Sequence, residues 1–136
     1  MVNVQRLIEF ISDAFPPNET DEELVNSDTM HGYALAEWIA HRLKGGAYGT
    51  VDFIPEDWGW YCFITDRDYS LAYGVQSYDR SNEFMINFSP MKGTIRQFPN
   101  LFKKRDISAD LAGLQQAVFD VLNSPDSSGT PRWLEA

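Results

Sequence analysis

Between residues 50 and 89 the apolar residues of this chain recur with a period of two, through four segments joined by short links. That pattern commits the middle of the chain to β-structure. Thr50 to Ile54 is the first expected strand and Trp58 to Thr65 the second. In the second, Trp58, Trp60, Cys62 and Ile64 point one way and Tyr61 and Phe63 the other. Both faces are apolar, which predicts an inner strand covered on both sides. In the third, Tyr69 to Val75, large Tyr69, Leu71, Tyr73 and Val75 alternate with small Ser70, Ala72 and Gly74, a face that a helix could approach closely. In the fourth, Glu83 to Phe88, the inward residues are Phe84, Ile86 and Phe88. The links Pro55-Glu56-Asp57, Asp66-Arg67-Asp68 and roughly 76–82 are short, and short links join antiparallel neighbours. The expectation is a four-stranded antiparallel meander.

The flanks read as helical. Segment 1–15 spaces Val4, Leu7, Ile8, Ile11 and Phe15 at threes and fours, the mark of an amphipathic helix, and Pro16-Pro17 stop it. Segment 16–30 reads as an acidic loop. Segment 32–44 reads as a second helix, with Tyr33, Ala36, Ile39, Ala40 and Leu43 on one face and Gly45-Gly46 as the stop. After a connection at 89–105, a last helix over 107–123 carries Ile107, Leu111, Leu114, Val118, Val121 and Leu122 on one face. Asp106 or Ser108 can cap its start, and Asp110 suits the positive end of the helix. Segment 124–136 reads as a polar tail anchored by Trp133-Leu134. The order predicts a single α+β domain over 1–136, its N-terminal and C-terminal helices packed on one face of the sheet. A chain of 136 residues, 43% hydrophobic, can fill such a core without disulfides or metal.

The net charge of −9 disfavours phosphate backbones as partners, so nucleic-acid binding is not expected; a basic protein partner is compatible with it. The charge is also polarised. The first 57 residues carry eleven acids against three bases, whereas 84–105 hold Lys92, Arg96, Lys103, Lys104 and Arg105 and no acid. That basic run is read as balancing the acidic half. The single cysteine, Cys62, permits no intrachain disulfide, which suits a reducing compartment. Glu9 and Asp13 interrupt any N-terminal leader pattern, and no window resembles a membrane span, so the expectation is a cytoplasmic protein without membrane contact.

Two constellations merit a chemical reading. Pro55-Glu56-Asp57-Trp58-Gly59-Trp60 combines a turn former, two carboxylates and two tryptophans. Acid–base work by Glu56 and Asp57 would require the two to converge with different environments. The structural reading is that Pro55 seeds the turn and Asp57 accepts from turn amides or a tryptophan ring N–H. Trp58 and Trp60 then serve as core or, with Glu56 and Asp57, as a binding platform. The second constellation is Glu19, Asp21, Glu22, Glu23 and Asp28, an acidic surface suited to a cationic partner. His31, Glu37 and His41 have metal-ligating side chains, but His31 precedes the helix and the spacing matches no metal motif, so neither metal nor cofactor is expected. Cys62 lies mid-strand among aromatics and reads as structural.

The helix Gly32 to Ala40, the glycine break after it and the six residues Pro55 to Trp60 entering a strand resemble a group of small bacterial proteins of no established activity. The resemblance spans roughly 31–75. It implies a compact bacterial domain and carries over no catalytic residue. The function expected is a non-enzymatic soluble binding protein, in concrete form an immunity-type inhibitor of a basic partner. The alternative is a small hydrolase or ligand-binding enzyme with a pocket near Asp57, Trp58 and Trp60. Oligomeric state is not legible.

Overall fold

The structure, a computed structural model, describes residues 6–24, 31–78, 81–91, 93–96 and 104–135. The chain runs β1 (Arg6–Ser12), α1 (Glu19–Leu24), α2 (Tyr33–Leu43), β2 (Val51–Glu56), β3 (Gly59–Ile64), β4 (Ala72–Ser77), β5 (Glu83–Ser89), β6 (Thr94–Arg96), β7 (Lys104–Asp106), α3 (Ser108–Leu122) and β8 (Gly129–Glu135). It is an α+β fold. Six strands form one antiparallel sheet in the order β2-β3-β4-β5-β1-β8, and β6 and β7 form a separate ribbon.

The central run β2 to β5 is the expected meander, but the sheet has six strands, not four. The two additions come from the chain ends. Arg6–Ser12, within the helix expected over 1–15, form β1, hydrogen-bonded between β5 and β8, and residues 1–5 lie outside the described residues. Leu7, Ile8, Phe10 and Ile11 satisfy a helical spacing and an alternating one equally, and a short apolar run is ambiguous by periodicity alone. What decides is the partner strand β8, in the segment expected to be a tail. Ile8 and Phe10 are fully buried while Ile11, one step out of phase, is exposed. Segment 16–30, expected as loop, contains the short helix α1, and 25–30 lie outside the described residues. The third strand begins at Ala72 rather than Tyr69, because 65–70 form the turn out of β3.

Helices α2 and α3 pack on each other and on the same face of the sheet, α2 over β3 and β4, α3 over β1, β5 and β8. The register identifies that face residue by residue. Trp60 lies opposite Val75, Cys62 opposite Tyr73, Val75 opposite Ile86, and Ile86 opposite Ile8. These side chains, with Leu35, Ile39, Leu111, Leu114, Val118 and Leu122 from the helices, make one continuous core. The Tyr73 hydroxyl donates to the Ala36 carbonyl at 3.0 Å and ties α2 to β4. The helix therefore approaches the large-residue face of the third strand, not the small Ala72-Gly74 face expected to receive it.

The opposite face carries Asp52, Ile54 and Glu56 from β2, Tyr61 and Phe63 from β3, Ala72, Gly74 and Gln76 from β4, Met85 and Asn87 from β5, and Leu7, Glu9 and Ile11 from β1. Neither α2 nor α3 lies over it. No described helix is long and apolar enough to cross a membrane.

Candidate functional site

The Pro55–Trp60 motif is the hairpin between β2 and β3, and the fold separates its side chains. Pro55 pairs with Trp60 on the edge strand β2, where a missing N–H costs no ladder bond to a further strand. Asp57 is exposed at the turn. Trp58 also belongs to the turn, so the strand starts at Gly59 and the expected common face of the two tryptophans does not form. Gly59 has φ 149°, a region glycine favours, and a Cβ there would strike the Val75 carbonyl of β4. Trp60 then enters the helix-covered core at 2% exposure. The Trp58 ring instead reaches over Gly74 on the other face, where a Cβ on residue 74 would meet Trp58 Cη2 at 2.8 Å. Asp57 is thus left at the exposed turn, while Trp58 and Trp60 lie on opposite faces of the sheet.

The tryptophan N–H that Asp57 was expected to accept belongs to a different carboxylate. Trp60 Nε1 donates to Asp21 Oδ1 at 2.9 Å, and the same oxygen accepts from the Gly32 and Tyr33 amides at 2.9 and 3.0 Å. Asp21 Oδ2 accepts from the Asn18 amide at 3.1 Å. Asp21 is fully buried. The Gly32 and Tyr33 amides open α2, so the carboxylate sits against the positive end of that helix. Asp21 is therefore no member of a solvent-facing acidic surface; it staples α1 to α2 and β3. Of the others in that set, Glu19 is exposed, the side chains of Glu22 and Glu23 are not described, and Asp28 lies outside the described residues.

A second polar hub joins the β3–β4 turn to α3. Arg67 Nε and Nη2 clasp Asp110 Oδ2 and Oδ1 at 2.8 and 3.0 Å. Tyr69 also donates to Asp110, Tyr48 donates to the Asp110 carbonyl at 3.1 Å, and Arg67 reaches the Ala47 carbonyl at 3.2 Å. The Arg67 hydrogen bonds hold the Asp110 carboxyl below its ordinary range, with burial opposing and Tyr69 reinforcing. Burial, then the Asp110 hydrogen bond, pushes the Tyr69 phenol up to about 12. The Arg67 and Asp110 charges are matched within the fold, which makes the hub a tie between two loops and α3. Arg105, from the basic run, stacks on Tyr69 at 4.7 Å and pairs with Asp68 at 2.8 Å, a carboxylate outside the acidic first 57 residues.

His31 is buried with its ring edge-on to Phe84 at 5.2 Å, whereas Glu37 and His41 face outward from α2. The three do not converge, and among the described residues no group of three or more such side chains is placed to hold a metal ion. Glu37 and His41 line a groove of about 610 Å³ along α2, walled by Phe15, Trp38 and Phe53. Burial pushes the Cys62 thiol up, so the reactive thiolate is disfavoured.

What remains is the open face of the sheet. Tyr61 and Phe63 stack with ring centroids 6.3 Å apart and are only half-buried. Trp58 and Met85 share their face and are also half-buried, and Ile54 and Ile11 are 42% and 44% exposed. A groove of about 510 Å³ is lined by Ile54, Tyr61 and Phe63 from the strands and by Asp68 and Tyr69 from the β3–β4 turn. The charged side chains of this face are Asp52, Glu56, Glu83 and Glu9 against Arg132, and Arg132 pairs with Glu9 at 2.8 Å. The arrangement is an aromatic and aliphatic strip with carboxylates along it. Tyr61 and Phe63, expected under a second covering layer, are partly exposed, and among the described helices neither α2 nor α3 lies over them.

No family model, no curated protein and no solved structure matches this chain.

Proposed function

We propose that this is a non-enzymatic binding protein that docks a basic protein on the open face of its sheet. The observation that carries the reading is the strip of part-exposed Trp58, Tyr61, Phe63 and Met85 around exposed Ile54. Aromatic residues and methionine are enriched where proteins bind one another, and a contiguous exposed apolar patch marks an interaction surface. The surrounding carboxylates and the net charge of −9 select a cationic partner and disfavour a second copy of the same acidic face. An immunity-type inhibitor, which blocks a basic enzyme by covering it, is the concrete form of this proposal. The bacterial setting implied by the Pro55–Trp60 resemblance and a cytoplasmic location belong to the same reading.

The test compares capture of partners from source-cell extract by three forms of the protein. Ile54→Glu with Met85→Glu disrupts the open face, and Glu37→Lys alters the outward flank of α2. One stoichiometric basic protein should be held by the wild type and by Glu37→Lys and lost by the open-face double variant, with all three melting alike. Equal capture by the double variant, or no stoichiometric partner at all, contradicts the proposal.

A further inference from the structure

We propose that the part of that surface formed by Tyr61 and Phe63 with Asp52, Ile54 and Glu56 of β2 is its anchor point and receives an arginine or lysine side chain of the partner. This rests on the open face being the docking face. Asp52 lies directly opposite Phe63 in the β2–β3 ladder, a position at which side chains touch. Ile54 lies opposite Tyr61, and Glu56 is the next residue of β2 on the same face. Glu56 is close enough to Tyr61 that, after burial, it raises the phenol's pKa. Two stacked rings are thus flanked by one carboxylate at each end, with an aliphatic side chain between. A cation over an aromatic face is attracted by the ring quadrupole, and a long aliphatic stem can lie on Ile54 while the head reaches a carboxylate. Arginine adds planar stacking and two-point bonding to a carboxylate.

The groove on the turn side of the two rings is lined by Arg67 and Asp68, which places the cation on the β2 side. Arg67 is clasped by Asp110, and Arg105 covers Tyr69 and pairs with Asp68, so the turn side already holds two guanidinium groups. The side bordered by Asp52 and Glu56 carries no described cation. The same balance disfavours an anionic anchor, which would have to sit between two carboxylates.

Hexa-arginine peptide is the probe, titrated into isotope-labelled protein at physiological salt and followed by amide and side-chain NMR. The largest saturable shifts should fall on residues 52–56 and 61–63. Asp52→Asn with Glu56→Gln should weaken binding about tenfold. Asp120→Asn with Glu37→Gln, which removes the same charge from the helical layer, should weaken it less than about twofold. Tyr61→Leu with Phe63→Leu keeps the apolar surface, removes the rings and should weaken arginine binding about fivefold. Equal weakening by the two charge-matched pairs, or shifts spread evenly over the acidic surface, overturns the anchor. If the shifts instead centre on Trp58, Met85 and Ile11, the anchor assignment falls while the docking face stands.

Discussion

The two faces of the six-stranded sheet come from the same alternating strands and end in opposite environments. On the helix side Trp60, Tyr73, Phe84 and Ile86 are at most 2% exposed, and their polar atoms have fixed partners such as Asp21 and the Ala36 carbonyl. On the other side Tyr61, Phe63, Trp58 and Met85 are equally apolar and remain partly exposed. Composition therefore does not distinguish the faces. What distinguishes them is whether a helix of the same chain has arrived. The motif Trp58-Gly59-Trp60 carries the contrast within three residues, because Gly59 sends one ring to each face.

The largest expected effect breaks the contrast at that motif. Trp60→Ala should cost about 3–5 kcal/mol, the range for emptying a large aromatic site in a core. Trp58→Ala, at the surface of the open face, should cost roughly 1 kcal/mol. Urea unfolding of both variants measures the difference, and equal losses would mean that the two faces are equally closed.

A second comparison uses two of the carboxylates of α1, Asp21 and Glu19. Asp21→Ala leaves the Gly32 and Tyr33 amides and the Trp60 ring N–H without their acceptor, and about 3 kcal/mol should be lost. Glu19→Ala, exposed on the same helix, should stay within about 0.5 kcal/mol. Thermal melts followed by tryptophan fluorescence would report both, since Trp60 is the Asp21 donor.

The smallest effect is the pH response of the Asp110 hub. Arg67 lowers the Asp110 pKa in the folded state, so the hub stabilises fully above the unfolded value of about 4 and loses that contribution as pH falls through the lower folded value. Tyr69 acts in the other direction. Its folded pKa of about 12 means that stability declines as pH rises above about 10 toward that value. Asp110→Asn should cost about 1–2 kcal/mol at neutral pH and flatten the acid limb between pH 4 and lower values. An unchanged acid limb would remove Asp110 from that account.

The central meander was legible because alternation, short links and aromatic richness agreed over the same residues. Helices α2 and α3 were legible from one apolar face each. The chain ends were not. Ile8 and Phe10 are strand residues because Ile86 and Phe84 pair with them on one side and Trp133 and Pro131 on the other, and pairing between distant parts of a chain leaves no local mark. Asp21 was hidden for a related reason: among neighbouring acids it looks like any solvated carboxylate, and its donors come from residues 32, 33 and 60. The Asp110 hub shows the intermediate case. Asp110 was expected to suit the start of its helix, and it does lie in the first turn, but Arg67 and Tyr69 determine its chemistry.

Hydroxyl-radical footprinting with and without the captured partner tests the central claim most directly, because it reads the two faces of one sheet in one sample. In the protein alone, Trp58, Tyr61, Phe63 and Met85 should oxidise readily and Trp60 and Tyr73 should be spared. In the complex, protection should fall on the first four, while Trp38 on the helical side keeps its rate. Protection at Trp38 with Tyr61 and Phe63 unchanged would contradict the open sheet face as the docking surface.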